Sequence, residues 1–216
     1  MAAQFPVVRI LIRGAAGGID VAAHLPTEVA PRAVAVVAHP HPLFGGTMDN
    51  KVVTTIARTM FDAGAAVFRF NFRGVGKTEG AHDEGRGETD DMLTVISHAR
   101  ASVGNDSLPL WLAGFSFGGA VALAASEQVV VDQLVLVAPA FQRIAQWANV
   151  HNGGNPPAST LLIHGENDET VPPSDSLEWA RSRDMAVTVV PAADHFFHMR
   201  LHIIKQLVAN QLRRGL

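Results

Sequence analysis

The chain has 216 residues, of which 48% are hydrophobic and 17% are charged. This composition is typical of a folded globular protein, and the length suits a single domain over residues 1–216. The formal net charge of −3 gives no electrostatic reason to expect a nucleic-acid or membrane partner. Because the sequence contains no cysteine, it excludes disulfides, thiolate metal sites and a cysteine nucleophile.

Neither a leader nor a membrane span is evident in the sequence. Residues 1–9 lack the basic segment and unbroken apolar run of a secretory signal. No stretch approaches the roughly 18 uncharged apolar residues that a membrane-spanning helix needs. We therefore expect a cytoplasmic protein.

The first predicted elements are two strands, residues 7–12 and 19–24, joined by a glycine-rich turn into an antiparallel hairpin. Residues 33–38 form a continuous apolar run of valine and alanine, which is typical of a strand buried on both faces of a parallel sheet. A helix follows to about residue 62, with Asn50 as its cap and Gly64 as its end.

Strands and helices then alternate to the end of the chain. The predicted strands are residues 66–72, 110–113, 134–137, 161–163 and 187–190, and the predicted helices are residues 88–103, 118–125, 174–183 and 197–213. This alternation predicts an α/β fold, a mostly parallel sheet with helices on both faces. In such sheets the ligand site lies at the carboxyl ends of the strands.

The segment GFSFG, residues 114–118, lies between a predicted strand and a helix of small residues. It matches the G-x-S-x-G nucleophile elbow, a turn so tight that only glycine fits two positions either side of the serine. The start of the following helix offers N–H groups to a developing oxyanion. The same motif also occurs as an ordinary turn, but this setting makes Ser116 our candidate nucleophile.

Two later strand ends carry the residue types that can activate a serine. They are HGENDETVP, residues 164–172, and PAADHFF, residues 191–197. The order Ser116, Asp168, His195 is the order of the α/β-hydrolase triad. In such a triad the histidine takes the serine proton, and a buried carboxylate fixes the tautomer of the imidazole. Five neighbours leave the acid and the base open at this point: Glu166, Glu169 and Asp194 for the acid, and His164 and His198 for the base.

The chain carries four motifs in order: HPHPLFGG at 39–46, RFNFRGVG at 69–76, GENDETVP at 165–172 and ADHFF at 193–197. Together they resemble a family of small, lidless bacterial carboxylesterases akin to dienelactone hydrolases, and the likeness covers essentially the whole chain. The resemblance implies an α/β-hydrolase fold with a minimal cap or none, and it implies a mechanism without a cofactor. It also implies that Asp168 is the triad acid and that His164 is a structural histidine.

In α/β-hydrolases one oxyanion-hole N–H comes from the residue after the nucleophile, here Phe117. The second comes from the loop after the strand at 33–38, where the two prolines of HPHP have no N–H to donate. We expect Leu43 to be this second donor, with His41 or Phe44 as alternatives.

Two pairs of histidines, His39 with His41 and His198 with His202, raise the question of a metal site. We expect no metal, because no third ligand with suitable spacing accompanies either pair. We expect the first pair to form local hydrogen bonds in a proline-stiffened loop. The second pair should lie on a half-exposed face of the last helix.

Four side chains near these motifs have two interpretations each. Arg73 either braces its loop or binds a substrate carboxylate. Phe44, Phe115 and Phe117 either form apolar walls of the pocket or pack in the core.

Only 23 residues separate the predicted strands 134–137 and 161–163, where many α/β-hydrolases insert a helical cap. We therefore expect an open, shallow site, and we predict a serine carboxylesterase that hydrolyses small, short-chain esters through an acyl-enzyme. The alternatives are a thioesterase, lactonase, amidase or acyltransferase with the same triad, or a non-catalytic interaction module. The expected partner is the small-molecule ester, and a homodimer is left open.

Overall fold

A computed structural model describes residues 5–144 and 156–214, and within these residues eight strands form one sheet. The strands are β1 (Val8–Gly14), β2 (Gly17–His24), β3 (Ala33–Ala38), β4 (Ala65–Phe70), β5 (Leu110–Phe115), β6 (Gln133–Val137), β7 (Thr160–Gly165) and β8 (Thr188–Val190). The helices are α1 (Lys51–Asp62), α2 (Arg86–Val103), α3 (Phe117–Ser126), α4 (Pro173–Arg181) and α5 (Leu201–Arg214). Two short 3₁₀ turns lie at Pro42–Phe44 and Phe141–Arg143.

The strand order across the sheet is β1-β2-β4-β3-β5-β6-β7-β8. The strands from β4 to β8 along this order run parallel, whereas β2 is antiparallel to both β1 and β4. The predicted hairpin and the predicted mostly parallel sheet are therefore confirmed. The carboxyl ends of β3, β5, β6, β7 and β8 meet at one edge of the sheet, as parallel pairing requires.

Helices cover both faces of the sheet, and β3 shows why its sequence is apolar throughout. Its even-numbered side chains belong to the core that includes α2, α3 and α4, and its odd-numbered side chains belong to the core that includes α1 and α5. All six residues of β3 are buried, because alternate side chains of a strand point to opposite faces.

Several predicted boundaries differ from those of the structure, and two of the differences have a visible cause. The last helix begins at Leu201 and not at residue 197, because Phe197 and Met199 have left-handed φ values of 53° and 59° that no right-handed helix contains. Strand β4 ends at Phe70 and not at residue 72, because the Phe72 N–H leaves the ladder and donates to His39 Nε2 at 2.9 Å.

The predicted absence of a cap concerns the chain between β6 and β7. Residues 145–155 of that stretch lie outside the described residues, and the part before them contains the 3₁₀ turn Phe141–Arg143. Across residues 5–144 and 156–214, no helix combines the length and the apolar character that a membrane crossing requires.

Candidate active site

Ser116 lies at the turn between β5 and α3, where it caps the helix with φ 56° and ψ −119°. A residue other than glycine with a positive φ has a strained backbone, and such strain is maintained only where the surroundings fix that backbone. Here the Ser116 N–H donates to the Val137 carbonyl at 2.9 Å, and its carbonyl accepts from Ala140 at 3.0 Å. These bonds from the end of β6 hold the serine at the carboxyl edge of the sheet.

The two glycines of the GFSFG segment are required by close backbone approaches. A Cβ on Gly118 would collide with the His39 carbonyl oxygen and lie 2.7 Å from that of Ala38. A Cβ on Gly114 would collide with the carbonyl of Gly118. The absence of these two Cβ atoms lets α3 start directly against the end of β3, as the elbow motif predicts.

His195 lies in the loop after β8, and Asp168 lies in the loop after β7. The Ser116 hydroxyl is 3.1 Å from His195 Nε2, and His195 Nδ1 is 2.7 Å from Asp168 Oδ2. An ionised carboxylate can only accept a hydrogen bond, so Nδ1 carries the proton and Nε2 is free to accept from the serine. This arrangement can transfer the hydroxyl proton to the ring while the carboxylate stabilises the cation that forms.

The Asp168 carboxylate is buried, and donors surround both of its oxygens. Oδ1 accepts from the Thr170 and Val171 N–H groups at 2.9 and 2.8 Å. Burial by itself raises the pKa of Asp168, but hydrogen bonds from His164, His195 and the Val171 N–H outweigh burial and hold the pKa well below its usual range. The Asp168 carboxyl group is therefore ionised near neutral pH.

His164 is completely buried and contacts the same carboxylate. Its Nε2 lies 2.9 Å from the Val171 carbonyl and 3.3 Å from Asp168 Oδ2, and both of these oxygens are acceptors. Nε2 therefore carries a proton that the two oxygens share. Its Nδ1 is 2.8 Å from the Ser176 hydroxyl on α4. His164 thus contacts the acid and does not reach the serine in place of His195.

Two of the three competing carboxylates, Glu166 and Asp194, have other partners. Glu166 accepts the Ala192 N–H at 2.8 Å and so links the loop after β7 to the loop after β8. Asp194 binds the exposed ring of His198 at 2.6 Å. His198 precedes α5, so it does not share a helix face with His202 as we had predicted.

The loop after β3 contains the candidate oxyanion donors. The Leu43 N–H donates to His41 Nδ1 at 3.3 Å, and the Phe44 N–H donates to the His41 carbonyl at 3.2 Å. The His41 ring lies 4.9 Å from the ring of Phe117, which places this residue beside the first residue of α3. As the first residue of a helix, Phe117 has an N–H without a partner inside that helix.

The other histidine of this loop, His39, is fully buried, and both of its nitrogens are engaged. Nδ1 lies 2.6 Å from the Pro40 carbonyl, and Nε2 accepts the Phe72 N–H. Within the two described stretches, no group of three His, Cys, Asp or Glu side chains could hold a metal ion.

The structure distinguishes the two interpretations of Arg73 and of the phenylalanines. Arg73 forms an ion pair at 2.8 Å with the buried Asp91 on α2, so it braces its loop. Phe115 and Phe117 are buried core residues, and the Phe115 ring lies 4.9 Å from the ring of His195. Phe44 is 73% exposed at the end of the 3₁₀ turn.

Phe196 and Ser176 are two residues near the site to which the sequence analysis assigned no role. Phe196 lines two surface grooves of about 420 and 630 Å³, and the smaller one also includes His195. Ser176 reaches His164 from a different element, and nothing in the local sequence signals such a contact. The position of Phe196 directly after the candidate base was the available signal for its role.

Known proteins resemble the chain over most of its length. Residues 30–154 match a family model described as serine aminopeptidase, S33. An α/β serine hydrolase without a lid from Xanthomonas campestris is 36% identical, with a TM-score of 0.87 over 99% of this chain and 98% of that chain.

Two further relatives extend the comparison. An α/β serine hydrolase homologue from Coxiella burnetii is 33% identical, with a TM-score of 0.84 over 97% of this chain and 99% of that chain. An uncharacterized protein from Rickettsia prowazekii is 28% identical over 187 residues, which are 83% of this chain and 78% of that protein. The similarity therefore spans the elements that carry all three candidate triad residues.

Proposed function

The chain belongs to the family of small α/β serine hydrolases that includes the lidless Xanthomonas protein, and we propose that it is a carboxylesterase acting on short-chain esters. The observation that carries this proposal is the continuous hydrogen-bonded chain from the Ser116 hydroxyl through His195 to Asp168, with distances of 3.1 and 2.7 Å. Serine needs such a base because its hydroxyl is a weak nucleophile by itself.

In the first step His195 Nε2 takes the hydroxyl proton while Ser116 Oγ forms a bond to the ester carbonyl carbon. The carbonyl oxygen becomes an anion that two backbone N–H groups stabilise. The bond from carbon to the alcohol oxygen then breaks, and the alcohol leaves with the proton from His195. The products of this step are the free alcohol and an acyl group bound to Ser116.

In the second step water repeats the sequence on the acyl-enzyme. His195 takes a proton from the water, whose oxygen attacks the acyl carbon, and the Ser116 oxygen leaves with that proton. The carboxylic acid is released, and the serine is restored. Asp168 keeps the ring of His195 in the required tautomer throughout.

For the oxyanion hole we propose the N–H groups of Phe117 and His41. Leu43 is the donor we expected, but its N–H and that of Phe44 are both engaged by acceptors on His41. His41 lies in the loop three residues after the end of β3, and its ring contacts Phe117. This contact supports a hole formed between these two residues.

The experiment compares wild type with Ser116→Ala on p-nitrophenyl acetate, butyrate, octanoate and palmitate. We expect hydrolysis that is fastest on the short esters and a kcat that falls by about 10⁴–10⁶ in the variant. Ser97→Ala, which changes an exposed serine on α2, is the matched control and should behave as wild type. If Ser116→Ala retained a rate within tenfold of wild type, the assignment of the nucleophile would be wrong.

The family description favours one second candidate, the hydrolysis of an amino-acid amide, because it names a serine aminopeptidase. Leucine p-nitroanilide in the same assay separates the two candidates. Ser116-dependent release of nitroaniline, with no hydrolysis of the esters, would replace the esterase proposal by an amidase.

A further inference from the structure

The larger of the two grooves, about 630 Å³, lies between the start of α1 and the segment that leads into α5. Its apolar lining residues are Val52, Phe196, Met199 and Leu201, and its polar ones are Asn50, Lys51, His198 and His202. The volume lies within the range of pockets that bind small organic ligands. Phe196 and Met199 are 46% and 86% exposed, which is unusual for large apolar side chains so close together.

Phe196 joins this groove to the reacting atoms. Its ring centroid is 5.1 Å from that of His195, and it also lines the smaller groove, which includes His195, Glu169 and Asp194. Phe196 therefore lines both grooves, so a chain that extends past His195 can contact its ring and continue into the larger groove.

The chemistry decides which part of an ester passes His195. When the bond from the acyl carbon to the alcohol oxygen breaks, that oxygen takes the proton from His195 Nε2, so it must lie within hydrogen-bond distance of this nitrogen. The carbonyl oxygen lies in another direction, toward the N–H of Phe117. The alcohol part is therefore the part of the substrate that extends on the His195 side.

We propose that the larger groove binds the alcohol part of the ester and that this part is an alkyl or aryl group, such as hexyl or phenyl. This inference rests on the proposed esterase function. Burial of alkyl or aryl carbons against Phe196, Met199 and Leu201 supplies the binding energy.

The test uses two ester series, methyl to hexyl acetate and methyl acetate to methyl heptanoate, so that only the alcohol or only the acyl part grows. We expect kcat/KM to rise about twofold to fourfold per methylene in the alcohol series, the effect of burying a methylene group, and to rise less in the acyl series.

Two variants localise the effect. Met199→Asp places a charge in the groove and should lower the ratio of kcat/KM for hexyl acetate to that for methyl acetate by about fivefold or more. Phe196→Ala should lower the same ratio by removing the shared wall. Val130→Asp is the matched control, because Val130 is 85% exposed and precedes the amino end of β6, opposite the carboxyl ends that carry the site. The same ratio for this variant should equal that of wild type.

The outcomes separate this inference from the proposed function. Ser116-dependent hydrolysis with no gain along the alcohol series, or with a gain that Met199→Asp does not reduce, would overturn the groove assignment and leave the esterase standing. A gain along the acyl series that Met199→Asp removes would assign the groove to the acid part instead. Absence of Ser116-dependent ester hydrolysis would overturn both proposals.

Discussion

Asp168 illustrates how one residue can be both buried and ionised. A carboxylate removed from water is costly unless donors replace the lost solvent, and here two backbone N–H groups and two imidazoles do so. Of its neighbours, only His195 also reaches Ser116. The carboxylate therefore orients the one ring that can accept the serine proton, and the remaining donors hold the carboxylate in place.

The change Asp168→Asn tests this orientation. An amide can present an N–H to His195 Nδ1, which forces Nδ1 to accept and moves the ring proton to Nε2, where it blocks transfer from Ser116. We expect kcat for p-nitrophenyl acetate to fall about 10⁴-fold with little change in the unfolding midpoint in urea.

Glu166→Gln is the control for this variant, because Glu166 is an exposed acid of the same loop and glutamine can still accept the Ala192 N–H. Its kcat should stay within tenfold of wild type. If the two variants lost activity equally, the acid would not be assigned to Asp168.

At the scale of the elements, the β5–α3 turn depends on how closely α3 approaches β3. Gly118 lies inside α3, where replacement of glycine by alanine normally stabilises a helix by about 1 kcal/mol. The collision with the His39 carbonyl reverses this expectation, since backbone cannot yield as a flexible side chain can. We expect Gly118→Ala to lower the free energy of unfolding by about 3 kcal/mol, measured by urea denaturation.

Gly104→Ala is the matched comparison. Gly104 ends α2 with φ 70° and has open space where a Cβ would lie. We therefore expect Gly104→Ala to lower the free energy of unfolding by about 1 kcal/mol, which is the cost of a left-handed backbone alone. A Gly118→Ala variant as stable as wild type would show that the elbow tolerates a Cβ and that its glycine is not sterically required.

The elements differ in how well the sequence predicts them. The run at 33–38 is apolar on both faces, and only a central parallel strand buries both faces, so β3 was predictable with its bounds. The start of α5 was not, because residues 197–200 carry no glycine or proline to mark the turn. There the backbone is set by contacts such as that of Asp194 with the His198 N–H and ring.

At the scale of the whole molecule, the proximity of the candidate triad residues was predictable because the parallel sheet brings the ends of β5, β7 and β8 to one edge. Motif order named Ser116, Asp168 and His195 as candidates, and the family resemblance favoured Asp168 over its acidic neighbours. The second oxyanion donor and the groove beside Phe196 depend on how loops that are distant in the sequence pack together. Local patterns carry no information on such contacts, so these features required the structure.

The sheet also buries two histidines that are neutral for reasons visible in their partners. Arg69 can only donate to His24 Nε2, and the Phe72 N–H can only donate to His39 Nε2, so neither nitrogen can carry a proton. The pKa of both rings is lowered to about 4, mainly by burial and for His24 also by Arg69, against the opposing effect of backbone carbonyls. Protonation of either ring would break a buried hydrogen bond.

This burial predicts how the stability of the whole molecule depends on pH. In the unfolded chain a histidine has a pKa near 6.5, so between about pH 6.5 and 4 the unfolded state binds protons that the folded state does not. The stabilisation is complete above pH 6.5 and is lost as the pH falls toward 4. From His39 alone we expect the free energy of unfolding in urea to fall on the order of 2–3 kcal/mol between pH 7.5 and 4.5.

His39→Gln isolates the contribution of His39 to this pH dependence, because glutamine does not titrate and can still accept the Phe72 N–H. Its stability at pH 7.5 should be lower than that of wild type, but its loss on going to pH 4.5 should be smaller. His202→Gln, at an exposed position on α5, should lose as much as wild type. Carboxylates with a lowered pKa, such as Asp168, lose their contribution mainly below this pH range. An equal loss in wild type and His39→Gln would therefore mean that the acid sensitivity arises elsewhere than at this buried ring.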